Sequence, residues 1–149
     1  MYSDPRVASF ISERFHPVRI HVRDDAEAWK KVRLELGVQW TPTILILSPE
    51  GKEEHRIEGF LPSDDFLAQL SIGLAKAAFG RGEFADAEQR YREIVDRYPD
   101  TESAPEALYW AGVSRYKGSN DGTALQETAR SFKQRYTDTA WAKKASVWD

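Results

Sequence analysis

A chain of 149 residues, 41% apolar and 12% aromatic, can bury a core as one domain or two small ones. Its 21 basic and 24 acidic residues are mixed along the chain and form no basic stripe, and at a formal charge of −3 this argues against a nucleic-acid partner. There is no cysteine, which excludes disulfides, thiolate metal sites and thiol catalysis from this chain.

Ser3-Asp4-Pro5 is a helix start, a capping side chain followed by a proline in the first turn. Val7, Phe10, Ile11 and Phe15 follow at helical spacing, so residues 5–15 form an amphipathic helix that Pro17 ends. Val18, Ile20 and Val22 alternate with Arg19, His21 and Arg23, which predicts a half-buried strand. Asp24 and Asp25 open a second helix with Trp29, Val32 and Leu36 on one face, closed by Gly37. Next comes WTPTILIL, residues 40–47, whose unbroken apolar run at 44–47 predicts a strand buried on both faces. A turn at residues 48–51 leads to a returning strand at 53–58, ended by Gly59. Ser63, Asp64 and Asp65 start a helix that carries Phe66, Leu67, Leu70 and Leu74 inward and runs to about Gly80.

From about Gly73 the pattern changes to helices rich in alanine and tyrosine, and it repeats. RYPDTESAPEA at residues 97–107 aligns with RYTDTAWAKKA at 135–145 at an offset of 38. Ala75 with Gly112, and Ala87 with Ala124, align at 37, so one inserted residue separates the two registers. Small residues recurring where helices cross are the mark of a helical array.

This second half, 72–149, resembles the tetratricopeptide repeat. Ala75, Ala87 and Pro99 hold the motif's small, alanine and proline positions in the first repeat. Gly112 and Ala124 hold them in the second, where Thr137 replaces the proline and Arg115 and Thr128 depart from consensus. The helix at 140–148 resembles the start of a third unit that serves as a cap. The first half, 1–71, resembles thioredoxin in the order helix, strand, helix, Gly-Val-x-x-Thr-Pro-Thr, strand, glycine turn, strand, Gly-Phe, helix. The implied fold is α/β plus all-α: an αβαββα thioredoxin-like unit, then repeat hairpins.

The resemblance implies that Pro42 is cis and that the backbone at Thr41 receives an extended peptide as a short added strand. It also implies a first strand and a Cys-x-x-Cys turn that this chain lacks, with that strand lying between residues 18–23 and 44–47. Three resolutions stand open: the chain is a piece of a longer protein, another chain fills the gap, or the two flanking strands pair directly.

Trp40, Thr41 and Pro42 are therefore the candidate peptide-binding residues. Lys76, Phe79, Tyr109, Val113 and Tyr116 are the candidate lining of a repeat groove, and the same residues suit packing between repeats or onto the thioredoxin-like half. Trp29, Trp110 and Trp141 sit at apolar helix positions and read as core. His16, His21 and His55 lack metal-ligand spacing and read as solvated, so no metal and no cofactor is expected. The acidic pairs Asp24–Asp25 and Asp64–Asp65 read as helix-start carboxylates, and Ser63 has no catalytic partner at motif spacing.

No apolar run approaches the ~20 residues of a membrane span, and MYSDPRVASF has no charged-then-apolar export design, so no membrane partner and a cytoplasmic location are expected. Two functions fit. One is a non-catalytic interaction module that binds protein or peptide partners, with self-association through an incomplete sheet; it is redox-inactive, and no disulfide reductase activity is expected. The other is part of a thiol–disulfide oxidoreductase of cell redox homeostasis, with its Cys-x-x-Cys upstream of Met1.

Overall fold

A computed structural model describes all of residues 1–149. Helix α1 (Pro5–Arg14) begins where Asp4 accepts a hydrogen bond from the Arg6 amide at 2.9 Å, with Pro5 in the first turn. Its inward face carries Val7, which is fully buried. Arg6 also reaches Asp64 at 2.9 Å, so the starts of α1 and of the later helix α3 are held side by side.

The strand expected at residues 18–23 does not form. That stretch is irregular, Val18 is 84% exposed, and the Asp25 carboxylate accepts from the His21 amide at 2.7 Å to close a turn. Alternating residues make a strand only against a partner's ladder, and no strand lies beside this stretch. Direct pairing of 18–23 with 44–47 is therefore also absent. Helix α2 (Ala26–Leu36) follows and ends at Gly37 in the left-handed region, φ 63°.

Strands β1 (Thr43–Leu47) and β2 (Glu53–Glu58) form an antiparallel hairpin, the whole of the sheet. Ile44 lies opposite Ile57 and Ile46 opposite His55, with a bulge between Ile46 and Leu47. Contrary to the two-face burial expected, only Ile46 of β1 is fully buried, and Leu47 is 42% exposed.

Helix α3 (Ser63–Gly80) lies on the hairpin and joins both halves. Phe66, Leu67 and Leu70 close one core with Val7, Ile46 and Ile57. Ala68, Ile72, Ala75 and Ala78, on another side of the same helix, enter the core of the helical half. Gly73 permits the approach to the sheet: a Cβ there would lie 2.2 Å from Ile46 Cδ1 and 3.2 Å from His55 Cβ.

Beyond α3 the chain is helical: α4 (Phe84–Arg97), α5 (Ser103–Ser119), α6 (Thr123–Gln134) and the short α7 (Ala140–Ala145), with a 3-10 turn at Ser146–Trp148. The hairpins α3–α4 and α5–α6 meet around Ala75, Ala87, Tyr91, Ile94, Ala107 and Ala111, all nearly inaccessible. Gly112 faces Thr128 across the α5–α6 crossing, where a Cβ would lie 2.8 Å from Thr128 Cβ. Thr128 therefore departs from consensus without a penalty in shape, and its buried hydroxyl donates to the Ala124 carbonyl at 2.7 Å.

Candidate functional site

The loop at residues 40–42 connects α2 to β1. Gly37 turns the chain out of α2, and the Arg56 guanidinium on β2 donates to the Leu36 carbonyl and, at 3.4 Å, to that of Gly37. Glu53 holds the other side of that guanidinium at 2.8 Å and keeps it fixed. The Thr43 hydroxyl donates to the Trp40 carbonyl at 2.6 Å and closes the loop. The Thr41–Pro42 peptide is cis. Trp40 is 69% exposed, Thr41 is exposed and Pro42 is half-buried.

Hydrogen bonding along β1 has a defined direction. The Gly59 amide donates to the Pro42 carbonyl at 2.8 Å, and the Ser48 amide to the Lys52 carbonyl at 2.8 Å. Alternation along the ladder then turns the backbone groups of Ile44 and Ile46 toward β2 and those of Thr43, Leu45 and Leu47 away from it. No other backbone pairs with that outer edge. Exposed apolar side chains flank the hairpin in the chain, Leu34 and Trp40 before it and Phe60 after it.

The residues expected to line a repeat groove are placed differently from one another. Lys76 points at the hairpin: its Nζ lies 3.2 Å from His55 Nδ1 and 3.5 Å from a Glu106 carboxylate oxygen on α5. Phe79 packs edge-on against Phe84 and Trp110. Tyr109 stacks on Trp148, 4.6 Å between centroids, and touches Trp110 and Trp141. Val113 and Tyr116 are half-buried. Three of the five thus spend their surface on neighbouring elements.

His55, read from sequence as solvated, is half-buried instead. Its Nε2 lies 2.6 Å from Gln69 Oε1, so Nε2 carries the ring hydrogen and Nδ1 accepts from the Lys76 ammonium. Burial lowers its pKa from the usual histidine value, and Lys76 acts in the same direction. Gln69 and the carboxylates of Glu106 and Glu53 oppose that shift.

Residues 1–72 match the family described as a thioredoxin-like domain, and residues 68–101 match the tetratricopeptide repeat. The chain joins a thioredoxin-like domain to a tetratricopeptide repeat. The two matches overlap within α3, the helix that feeds both cores. No curated protein and no solved structure matches the chain.

In the thioredoxin-like half, the loop at 40–42 and the outer edge of β1 form one surface of free amides and carbonyls beside an exposed indole. With no thiol in the chain, this surface can hold an extended backbone but supplies no nucleophile of the family's kind. No three His, Asp or Glu side chains come together as a metal site, and no helix is long and apolar enough to cross a membrane. Sequence reasoning missed the His55–Lys76 contact because period-2 alternation on β2 gives His55 no signal beyond its face. Which element covers that face is a long-range fact.

Proposed function

We propose that this chain is a non-catalytic protein-interaction module in which an extended partner segment adds as a strand to the outer edge of β1, next to Trp40, Thr41 and Pro42. The observation that carries the reading is the unpaired edge itself. Thr43, Leu45 and Leu47 turn their amides and carbonyls to an edge with no backbone partner, and each hydrogen bond made there contributes about 1 kcal/mol. Strand addition takes its affinity from the main chain and its selectivity from flanking side chains, a role that the exposed Trp40 ring suits. The same edge accepts a second copy of the chain, which is the form self-association takes on this reading. The helical half supplies the platform: α3 stiffens the hairpin from behind, and the repeats offer further partner surface.

The test is backbone NMR of the labelled chain with a synthetic peptide of alternating valine and threonine. Shift changes and new exchange protection are expected at Thr43, Leu45 and Leu47, with loss of both on N-methylation of alternate peptide amides. Protection confined to α5, α6 and α7, or none, overturns the reading.

A second reading, the peptide-holding part of a thiol–disulfide oxidoreductase, draws support from the match of residues 1–72 to the thioredoxin-like family. A Trp-Cys-x-x-Cys run encoded in frame upstream of Met1 decides for it.

A further inference from the structure

The thioredoxin-like and repeat halves also face each other where α1, packed on α3, lies beside α4, and a groove runs along that seam. Its two adjoining hollows share Phe10, Arg14, Arg97 and Tyr98, so they form one continuous surface. Arg6 extends it at one end and Arg90 at the other. The lining itself carries two carboxylates, Glu13 and Glu93, and neighbouring carboxylates take up Arg6 and Arg90, so the cations open to a partner are Arg14 and Arg97. The roomier hollow, about 290 Å³ and open to solvent, is smaller than a usual small-molecule pocket and suits side chains of a peptide.

The arginines differ in how they are engaged. Arg6 is paired with Asp4 and Asp64, and Arg90 with Asp86 one helical turn away. Arg14 has only its exposed chain neighbour Glu13, at 3.1 Å, a pair of the kind that contributes little and exchanges readily for another carboxylate. Arg97 has no carboxylate within ion-pair distance and no side-chain hydrogen bond to another residue. The Arg14 guanidinium lies 4.4 Å from the centre of the Phe10 ring, which holds it in place and lowers the ordering cost of binding. Between the charged tips the apolar surface comes from the half-buried Phe10, Leu74 and Tyr98.

We infer that this groove binds an acidic peptide segment of a partner protein, its carboxylates on Arg14 and Arg97 and an apolar or aromatic side chain on the floor between them. Charge complementarity selects the occupant: a guanidinium with no partner and one with an exchangeable partner, both beside apolar surface, fit carboxylates that flank a hydrophobic residue. The surface shares no residue with the outer edge of β1, so the two interactions stand or fall separately.

The experiment is fluorescence anisotropy at low salt with a labelled Glu-Glu-Phe-Glu-Glu peptide and its counterpart with glutamine for glutamate. The acidic peptide is expected to bind and its counterpart not, with binding lost as salt is raised. Arg97→Glu should weaken binding about tenfold and Arg97→Gln by less, while Arg130→Glu, the same charge change on α6, should leave it unaltered. Arg97 holds no internal ion pair, so the melting curve of Arg97→Gln should stay close to the parent, whereas Arg97→Glu, an anion in the last turn of α4, should melt slightly lower. No binding, equal binding of the two peptides, or equal losses from Arg97→Glu and Arg130→Glu overturns the proposal.

Discussion

Gly112 and Gly118 sit less than two turns apart on α5, yet a side chain meets very different surroundings at the two positions. At Gly112 a Cβ would lie 2.0 Å from Thr128 Oγ1 and 2.8 Å from Thr128 Cβ, and that threonine is buried with its hydroxyl engaged. At Gly118, in the last exposed turn of α5, the nearest atom is Phe84 Cβ at 3.3 Å. Gly112→Leu therefore separates α5 from α6, at a cost of ~1–3 kcal/mol or more. Gly118→Leu needs only a small adjustment at a helix end. Thermal melts should show Gly112→Leu lower by several degrees than Gly118→Leu; equal melting temperatures would contradict the crossing. The repeat alignment had already marked Gly112 as a small position, because close helix approach leaves its trace in residue size. It could not say that Thr128 is the residue across from it.

At the level of elements, α2 and β1 are the least covered parts of the thioredoxin-like half. Helix α2 has no fully buried residue, and its best-defined tether is the Arg56 guanidinium on its last carbonyls. Strand β1 is held on one edge alone. Its amides should thus behave in alternation: Ile44 and Ile46, which bond to β2, exchange slowly, while Thr43, Leu45 and Leu47 exchange fast. Hydrogen exchange by NMR in dilute solution reads this directly, and uniform protection of 43–47 would show that something already covers the edge. An apolar run announces a strand but does not say on which edges it is paired.

Across the whole molecule, the polar chain Gln69–His55–Lys76–Glu106 ties β2 to α3 and to α5, and so ties the hairpin to both repeat hairpins. It is built for neutral histidine, since a proton on Nδ1 would face the Lys76 ammonium. With the folded pKa below the ordinary histidine value of 6.5, the unfolded chain takes up this proton first as pH falls. His55 therefore supports the fold fully above that ordinary value. Its contribution declines as pH drops through 6.5 toward the folded pKa, and below the folded pKa the decline stops. Denaturant midpoints measured across the histidine range should fall with acidification, and His55→Gln should flatten that slope relative to the parent. An unchanged slope in the variant would mean that other groups carry the dependence.

Much of the architecture is local and was open to reading in the residues. The caps at Asp4 and Gly37, the Pro17 stop, the hairpin turn ended by Gly51 and the span of α3 all follow from side chains acting within a few positions. The small residues Ala75, Ala87 and Gly112 encode the helix crossings, since close packing restricts residue type wherever it occurs. What depends on partners far along the chain was decided only in three dimensions. Val18, Ile20 and Val22 have the pattern of a strand and form none, because a strand exists only against a neighbour and none is beside them. His55 reads as solvated and Lys76 as a groove or packing residue, and the two meet between β2 and α3, while Arg14 and Arg97 line one groove although most of the thioredoxin-like half separates them in the chain. Periodicity tells which way a side chain faces on its own element; which other element lies on that side is set by the packing of the whole chain.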